Sequence, residues 1–285
     1  MKLNKLLTLL FLFNLILVET QAQSEKPLYT NPLGIQAYTY RNSFPNGIIE
    51  TLDTIKSLGI TEMEGGIPDG MAPDSYRKLL DERNIKVPST GADYNDLVKN
   101  LQEVIKIAKI LGASYVMVAW IPHDKTFKFE DAKKATEDFN RVGKILKENG
   151  LTFCYHIHGY EFSPYKKGTL FDYIAENTNP EYVSFEMDVL WAFHGGQDPA
   201  KLLKKYGKRW KLMHLKDLKK GVKGDFTGST STENDVALGT GQIDIPSVLK
   251  AAKKIGIKHY FIEDESNRVS LQVPQTIAYL KSLKE

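Results

Sequence analysis

The 285-residue chain has a single cysteine, Cys154. An intramolecular disulfide is therefore excluded, and the fold must be held by its apolar core, which a chain of this length can supply. Charge imbalance is also slight: 38 Lys and Arg stand against 35 Asp and Glu, a formal net charge of +3. That is too weak to argue for a nucleic-acid partner. The lysine doublets (Lys133-Lys134, Lys166-Lys167, Lys204-Lys205, Lys219-Lys220 and Lys253-Lys254) are scattered, as on solvated helix faces and loops. The chain has no apolar run of the ~20 residues that a spanning helix needs. Residues 6–18 are apolar apart from Thr8 and Asn14. Lys2 and Lys5 precede this run, and Thr20-Gln21-Ala22 follows as a small-residue cleavage site. That order reads as a cleaved secretory signal peptide over residues 1–22. It makes the protein an exported one, periplasmic or secreted, with no stable membrane anchor.

What is present is a rhythm. Residues 23–32 form a polar lead-in with two prolines, and from Leu33 onward a short apolar run, a loop and a longer stretch of helical spacing repeat to the end. Strands are predicted at 33–38, 60–64, 85–90, 114–120, 151–158, 183–188, 210–215 and 258–263. Helices are predicted at 46–58, 73–83, 94–111, 129–148, 169–176, 198–206, 245–255 and 269–283. In the first helix Ile48, Ile49, Leu52, Ile55 and Leu58 recur at three- and four-residue spacing, and Gly59 stops it. Eight strand–helix pairs call for a parallel sheet, and the count favours a single (β/α)8 TIM barrel over an open doubly wound sheet. The turn after the first strand, residues 39–45, contains no glycine, which disfavours a dinucleotide-binding fold. No stretch reads as an interdomain linker, so residues 33–285 form one domain. Gly239-Thr240-Gly241 is the one segment that offers itself as a phosphate loop, and it is short for that purpose.

A barrel keeps its site at the C-terminal ends of its strands. There the chain places Tyr38 after strand one, Glu62 and Glu64 at strand two, and Trp120 at strand four. His156, His158 and Glu161 follow at strand five, Glu186 and Asp188 at strand six, His214 and Lys216 at strand seven, and Glu263 at strand eight. His156 and His158 are two apart, so on an extended strand they share a side. Strands five to eight thus end in imidazoles and carboxylates that a closed barrel brings within reach of one metal ion. The mixed nitrogen and oxygen set suits Mn2+, Co2+, Zn2+ or Mg2+. Cys154 shares parity with His156 but reads as a small buried hydrophobe.

These motifs resemble the xylose-isomerase-like TIM barrels of the sugar phosphate isomerase/epimerase superfamily. The matching pieces are Tyr155-His-Ile-His-Gly-Tyr-Glu-Phe162, Glu186-Met-Asp-Val-Leu-Trp191, Gly195-Gly-Gln-Asp-Pro199, His214-Leu-Lys-Asp217, Gly239-Thr-Gly-Gln-Ile-Asp244 and Tyr260-Phe-Ile-Glu-Asp-Glu265. The resemblance implies one divalent metal held at strands five to eight, with Asp188, His214 and Glu263 as the last three ligands. Many relatives carry a glutamate inside strand five where this chain has His156. Glu161 is the expected first ligand here, with His158 and His156 as competitors.

The resemblance further implies proton movement on a carbon next to a carbonyl, so the substrate is a small-molecule carbohydrate. His158, Lys216 and Glu161 are the expected catalytic groups. Tyr38, Glu64, Trp120, His156 and Trp191 are the expected substrate contacts. Export favours an unphosphorylated sugar. The His-x-His-x-x-Glu-Phe subgroup includes lyases that expel the aglycone from 3-ketoglycosides, beside isomerases and epimerases of free ketoses. A non-catalytic exported sugar-binding barrel is the alternative, and a homo-oligomer is left open. An abasic-site endonuclease needs extra histidines from early strands, which strands two and three lack.

Overall fold

The computed structural model describes residues 26–285, so the expected signal segment, 1–22, lies outside the described residues. Eight parallel strands close into a barrel with neighbours in chain order. They are β1 (Gly34–Gln36), β2 (Glu62–Glu64), β3 (Lys86–Gly91), β4 (Tyr115–Val118), β5 (Thr152–His156), β6 (Val183–Asp188), β7 (Trp210–Leu215) and β8 (His259–Ile262). Among the described residues ten α-helices surround them: α1 (Ile48–Ser57), α2 (Pro73–Glu82), α3 (Tyr94–Lys99), α4 (Leu101–Leu111), α5 (Phe129–Glu148), α6 (Leu170–Asn177), α7 (Val189–His194), α8 (Pro199–Tyr206), α9 (Ile245–Ile255) and α10 (Val269–Ser282).

Side-chain alternation along each strand divides the core in two. On β5, Phe153 and Tyr155 point outward and pack on Phe139 of α5, with ring centres 4.8 and 5.1 Å apart. Phe185, Met187, Met213 and Leu215 join the same outer core between strands and helices. The inward residues Cys154, Leu212 and Phe261 form a separate small apolar plug inside the barrel. Above this plug the inward positions are polar, and these residues build the site.

The chain departs from expectation in three respects. The helix expected over 94–111 is broken at Asn100, whose backbone (φ −122°, ψ 31°) ends α3 before α4 begins. Helix α7 is a six-residue element that short-range periodicity does not show. Strands β1, β4 and β5 stop at Gln36, Val118 and His156, two residues earlier than expected, and Gly159 turns the chain with φ 95°. The described part of the lead-in, from Lys26 onward, is tied to the C-terminal end of the chain. Leu28 N–H donates to the Leu283 carbonyl (3.0 Å), Glu285 N–H donates to that of Lys26 (2.9 Å), and Tyr29 meets the Tyr260 ring edge-on at 5.6 Å. Among the described residues no helix is long and apolar enough to cross a membrane.

Candidate metal and substrate site

Register brings the polar ends together: His156 pairs with Glu186 across β5 and β6, and Asp188 pairs with His214 across β6 and β7. His214 is the hub. Its Nε2 lies 2.5 Å from Glu64 Oε2 and 3.4 Å from Glu186 Oε1, and its Nδ1 lies 2.9 Å from Glu263 Oε2 and 3.9 Å from Asp188 Oδ2. His156 sits alongside, with its ring centre 4.5 Å from that of His214. Its Nδ1 is 3.3 Å from Glu186 Oε2 and its Nε2 is 3.8 Å from Asp188 Oδ2. Gln36 Nε2 donates to Glu64 Oε2 at 2.9 Å, which orients that carboxylate.

Burial and mutual charge set the protonation of this cluster. Burial, reinforced by the neighbouring Glu64, pushes the Glu186 carboxyl well above the usual carboxylate range. Burial also raises Asp188 to about 7. His214 is pulled down by burial, but the charges of Glu186, Glu263 and Glu64 outweigh this and raise it well above the ordinary histidine value; a bound cation would take the place of that proton. His156, buried beside His214 and His158, is held neutral, well below the normal histidine value.

These residues fit a divalent cation. One ligand atom each from His156, Asp188 and His214 lies within 4.8 Å of the others, and the same holds for Glu64, Glu186 and His214. Three buried carboxylate oxygens here have no hydrogen-bond partner: Glu64 Oε1, Glu186 Oε1 and Asp188 Oδ2. Buried carboxylate oxygens without donors are costly unless a cation meets them. A neutral imidazole with carboxylates is the donor set that borderline divalent metals take.

Of the expected ligands, Asp188, His214 and Glu263 are brought together, whereas Glu161 is not part of the cluster. Its Oε1 accepts hydrogen bonds from the Tyr155 hydroxyl (2.9 Å) and the His158 N–H (2.8 Å). Expected as first ligand and as catalytic group, Glu161 is thus placed beside Tyr155, outside the groups whose ligand atoms converge on His214, with its Oε2 buried and unpartnered. Tyr155 points to the outer core, so its partner lies on that side of β5, and His156 is the β5 group in the cluster. Glu64, expected to touch substrate, is instead fully buried between Gln36 and His214.

Lys216, expected to be catalytic, is fully buried and engaged by Glu265 (2.6 Å), Glu263 (3.3 Å) and Asp235 (3.7 Å). Burial opposes its charge, but these carboxylates together with Asp188 hold it as an ammonium. Its position beneath Glu263 and Glu265 makes it a positioning group for both.

Above the cluster opens a cavity of about 910 Å3 whose wall includes Tyr38, His156, His158, Trp191, Glu263 and Glu265. His158 stacks on Trp191 at 4.4 Å, and burial, aided by the Lys216 charge, lowers it to about 3. Trp120, expected to touch substrate, is 42% exposed and lies outside the cavity lining, edge-on to His158 at 5.1 Å and stacked on His123 at 4.8 Å. The loop between the paired segments Asp217–Leu218 and Asp235–Val236 supplies Gly228, Ser229, Thr230 and Thr232 to the cavity wall. Glu265, which the sequence places with Glu263 and Asp264 at the end of strand eight, joins the cavity wall. Sequence reasoning missed the reach of Glu64 to His214, which no local spacing encodes.

The fold and the metal-competent barrel mouth define a class, and residues 52–283 match its description: the chain belongs to the xylose isomerase-like TIM barrel family. It is 26% identical over 196 residues to an inosose dehydratase of Geobacillus kaustophilus (strain HTA426), a match covering 61% of this chain. The chain spans only 63% of that curated relative's length. The crystal structure of a sugar phosphate isomerase/epimerase from Parabacteroides distasonis ATCC 8503 superposes with a TM-score of 0.72 at 25% identity, covering 90% of this chain and 97% of that one. The IolI protein, crystallised with a zinc atom, shares the fold at a TM-score of 0.69 and 17% identity, covering 88% and 95% of the two chains.

Proposed function

We propose that the protein is an exported, divalent-metal-dependent enzyme that abstracts a proton next to a carbonyl of a keto sugar, in the manner of a 3-ketoglycoside lyase or a ketose isomerase/epimerase. The observation that carries this reading is the group of unpartnered, buried carboxylate oxygens around His156 and His214 at the floor of an aromatic-walled cavity. The resemblance to an inosose dehydratase and to a zinc-bearing neighbour supports it. The export part rests on residues 1–22 alone, with 23–32 as lead-in and 33–285 as the barrel.

His156, Asp188, His214 and Glu263 would hold the ion, and Glu186 and Glu64 hold the imidazole rings in place. Such an ion supplies Lewis acidity toward a carbonyl and its neighbouring hydroxyl. The protein's own groups do the rest. Tyr38 and Trp191 flank the sugar, and Trp120 extends the aromatic surface beyond the cavity lining. His158 faces the cavity as a neutral imidazole; lowered to about 3 it is a weak base, and its part is to hold a substrate oxygen by hydrogen bonding. Glu265, fixed by Lys216, presents a carboxylate to the same cavity. A carboxylate that takes the proton beside a group that holds the neighbouring oxygen is what abstraction followed by return, or by loss of a leaving group, requires.

The test is incubation of purified protein and Mn2+ or Co2+ with a 3-ketoglycoside in D2O. Aglycone release with exchange at C2 identifies a lyase, and exchange without release identifies an isomerase or epimerase. Neither event in the metal-loaded protein would sink the reading.

A further inference from the structure

Barrels commonly hold a substrate's phosphate in the loops after strands seven and eight, on backbone N–H groups. The candidate for that role is Gly239-Thr240-Gly241, and in the structure its N–H groups are already taken. Asp217, buried directly beyond β7, accepts through Oδ2 from Gly239 N–H and Gly241 N–H, both at 3.0 Å. Its Oδ1 accepts from Leu218 N–H at 2.9 Å and Ile243 N–H at 3.2 Å. Four backbone donors converging on two oxygens form a nest of the kind that binds a phosphate, and here a carboxylate fills it. The fit is tight: a side-chain carbon on Gly241 would collide with the Asp217 carboxylate. The third N–H of the loop, that of Thr240, donates to the Ala237 carbonyl at 3.0 Å, so none of the three is left over for an anion.

The cavity wall leads to the same conclusion by a separate route. Among the described residues that line it, the carboxylates are Asp93, Glu263 and Glu265, and there is no lysine or arginine. The neighbouring cations are engaged elsewhere. Lys216 is shared by three carboxylates beneath the wall. Arg41 lies over the Tyr38 ring at 4.6 Å and donates to the Glu265 carbonyl at 2.6 Å. What the wall does offer is hydroxyl and amide groups, from Ser229, Thr230, Thr232 and Gln36, beside the rings of Tyr38 and Trp191. Hydroxyls and aromatic faces suit an uncharged, polyhydroxylated ring, whereas an anionic substituent held away from the ion would meet like charge with no lysine or arginine in the wall to pair it.

We infer that the site takes an uncharged ketose or glycoside and rejects phosphorylated and carboxylated sugars, with Asp217 as the residue that closes the phosphate subsite. The inference rests on the sugar reading above, and it runs against what the name of the Parabacteroides neighbour would lead one to expect of this chain.

The test is calorimetric titration of the metal-loaded full chain with a methyl glucopyranoside, its 6-phosphate and the corresponding uronide at one ionic strength. None of these carries the keto group that turnover needs, so binding is read apart from catalysis. A catalytic failure with 3-ketoglycosides would leave this measurement intact. The neutral glycoside is expected to bind at least tenfold more tightly than either anion. A smaller ratio, or no binding of the neutral glycoside, overturns the inference. In a second measurement, inorganic phosphate is added to wild type and to Asp217→Ala during thermal melting. A phosphate-dependent rise confined to the variant is expected, and equal responses in the two chains overturn the role of Asp217. If the variant does not fold, the wild-type titration decides.

Discussion

Asp188 divides its two oxygens between structure and site. Oδ1 accepts from Trp191 N–H at 2.8 Å and caps α7, whereas Oδ2 faces His156 and His214 without a donor. Asp188→Asn retains an acceptor for the cap but loses the anionic ligand. Metal content by atomic emission is expected to fall to a tenth or less, with activity down by roughly 100-fold or more. His214→Ala is expected to do the same.

Glu161 behaves differently because it lies outside the cluster, so Glu161→Gln is expected to keep its metal. Its carboxyl, raised by burial from 4.5 to about 7, also has a pH signature. The folded chain retains a proton that the unfolded chain releases near pH 4.5. This group's contribution to stability therefore falls as pH rises from 4.5 to about 7, and is level above that. Glutamine has no proton to lose. Its stability relative to wild type in urea titrations is expected to grow across that window by on the order of 1–3 kcal/mol. Asp188 and His214 were legible in the sequence because parity on a regular strand carries through to geometry. Glu161 was not, because β5 ends at His156 and Gly159, with φ 95°, resets the chain's direction before Glu161 is reached.

At the scale of elements, the loop between residues 219 and 234 gives the site its wall, and Gly228 is where it packs against Tyr160 and His158. With φ 65°, Gly228 has no room for a side chain: a Cβ would lie 2.6 Å from a Tyr160 ring carbon and 3.0 Å from the His158 carbonyl. Gly228→Ala should lift the loop from the wall without touching the barrel. KM is expected to rise on the order of tenfold, corresponding to about 1.4 kcal/mol, while the melting temperature moves by only a few degrees. A large fall in kcat at unchanged KM would contradict this. Strands and long helices were readable because their periodicity spans several turns. Helix α7 was not, since all but Phe193 of its six residues are buried and no polar face alternates with an apolar one. The break at Asn100 was equally hidden, because an asparagine between two apolar stripes reads as a solvated position.

For the molecule as a whole, the repeat of eight strand–helix pairs was enough to specify a closed barrel, and barrel closure is what assembles strand ends that lie far apart in the chain. The contact between Glu64 and His214 was the part that repeat could not convey. It depends on the barrel interior being only wide enough for side chains to meet across it, so a glutamate of β2 touches a histidine of β7. The resulting concentration of buried acids makes stability depend on a cation. Chelation of the metal-loaded protein is expected to lower the melting temperature by about 5–10 °C, as follows from ~2.7 kcal/mol of linkage at a hundredfold excess of metal over Kd. Scanning calorimetry with and without chelator checks it, and an unchanged melting temperature would contradict it.

The cap on α7 has an optical consequence. Trp191 has its backbone N–H on Asp188 and its indole 4.4 Å from His158, so it registers events on both sides of the cavity floor. The chain's other tryptophans are Trp120 outside the cavity lining and Trp210 in the outer core. Emission from Trp191 therefore offers a label-free signal for filling of the site, and Trp191→Phe is the variant in which that signal should be extinguished.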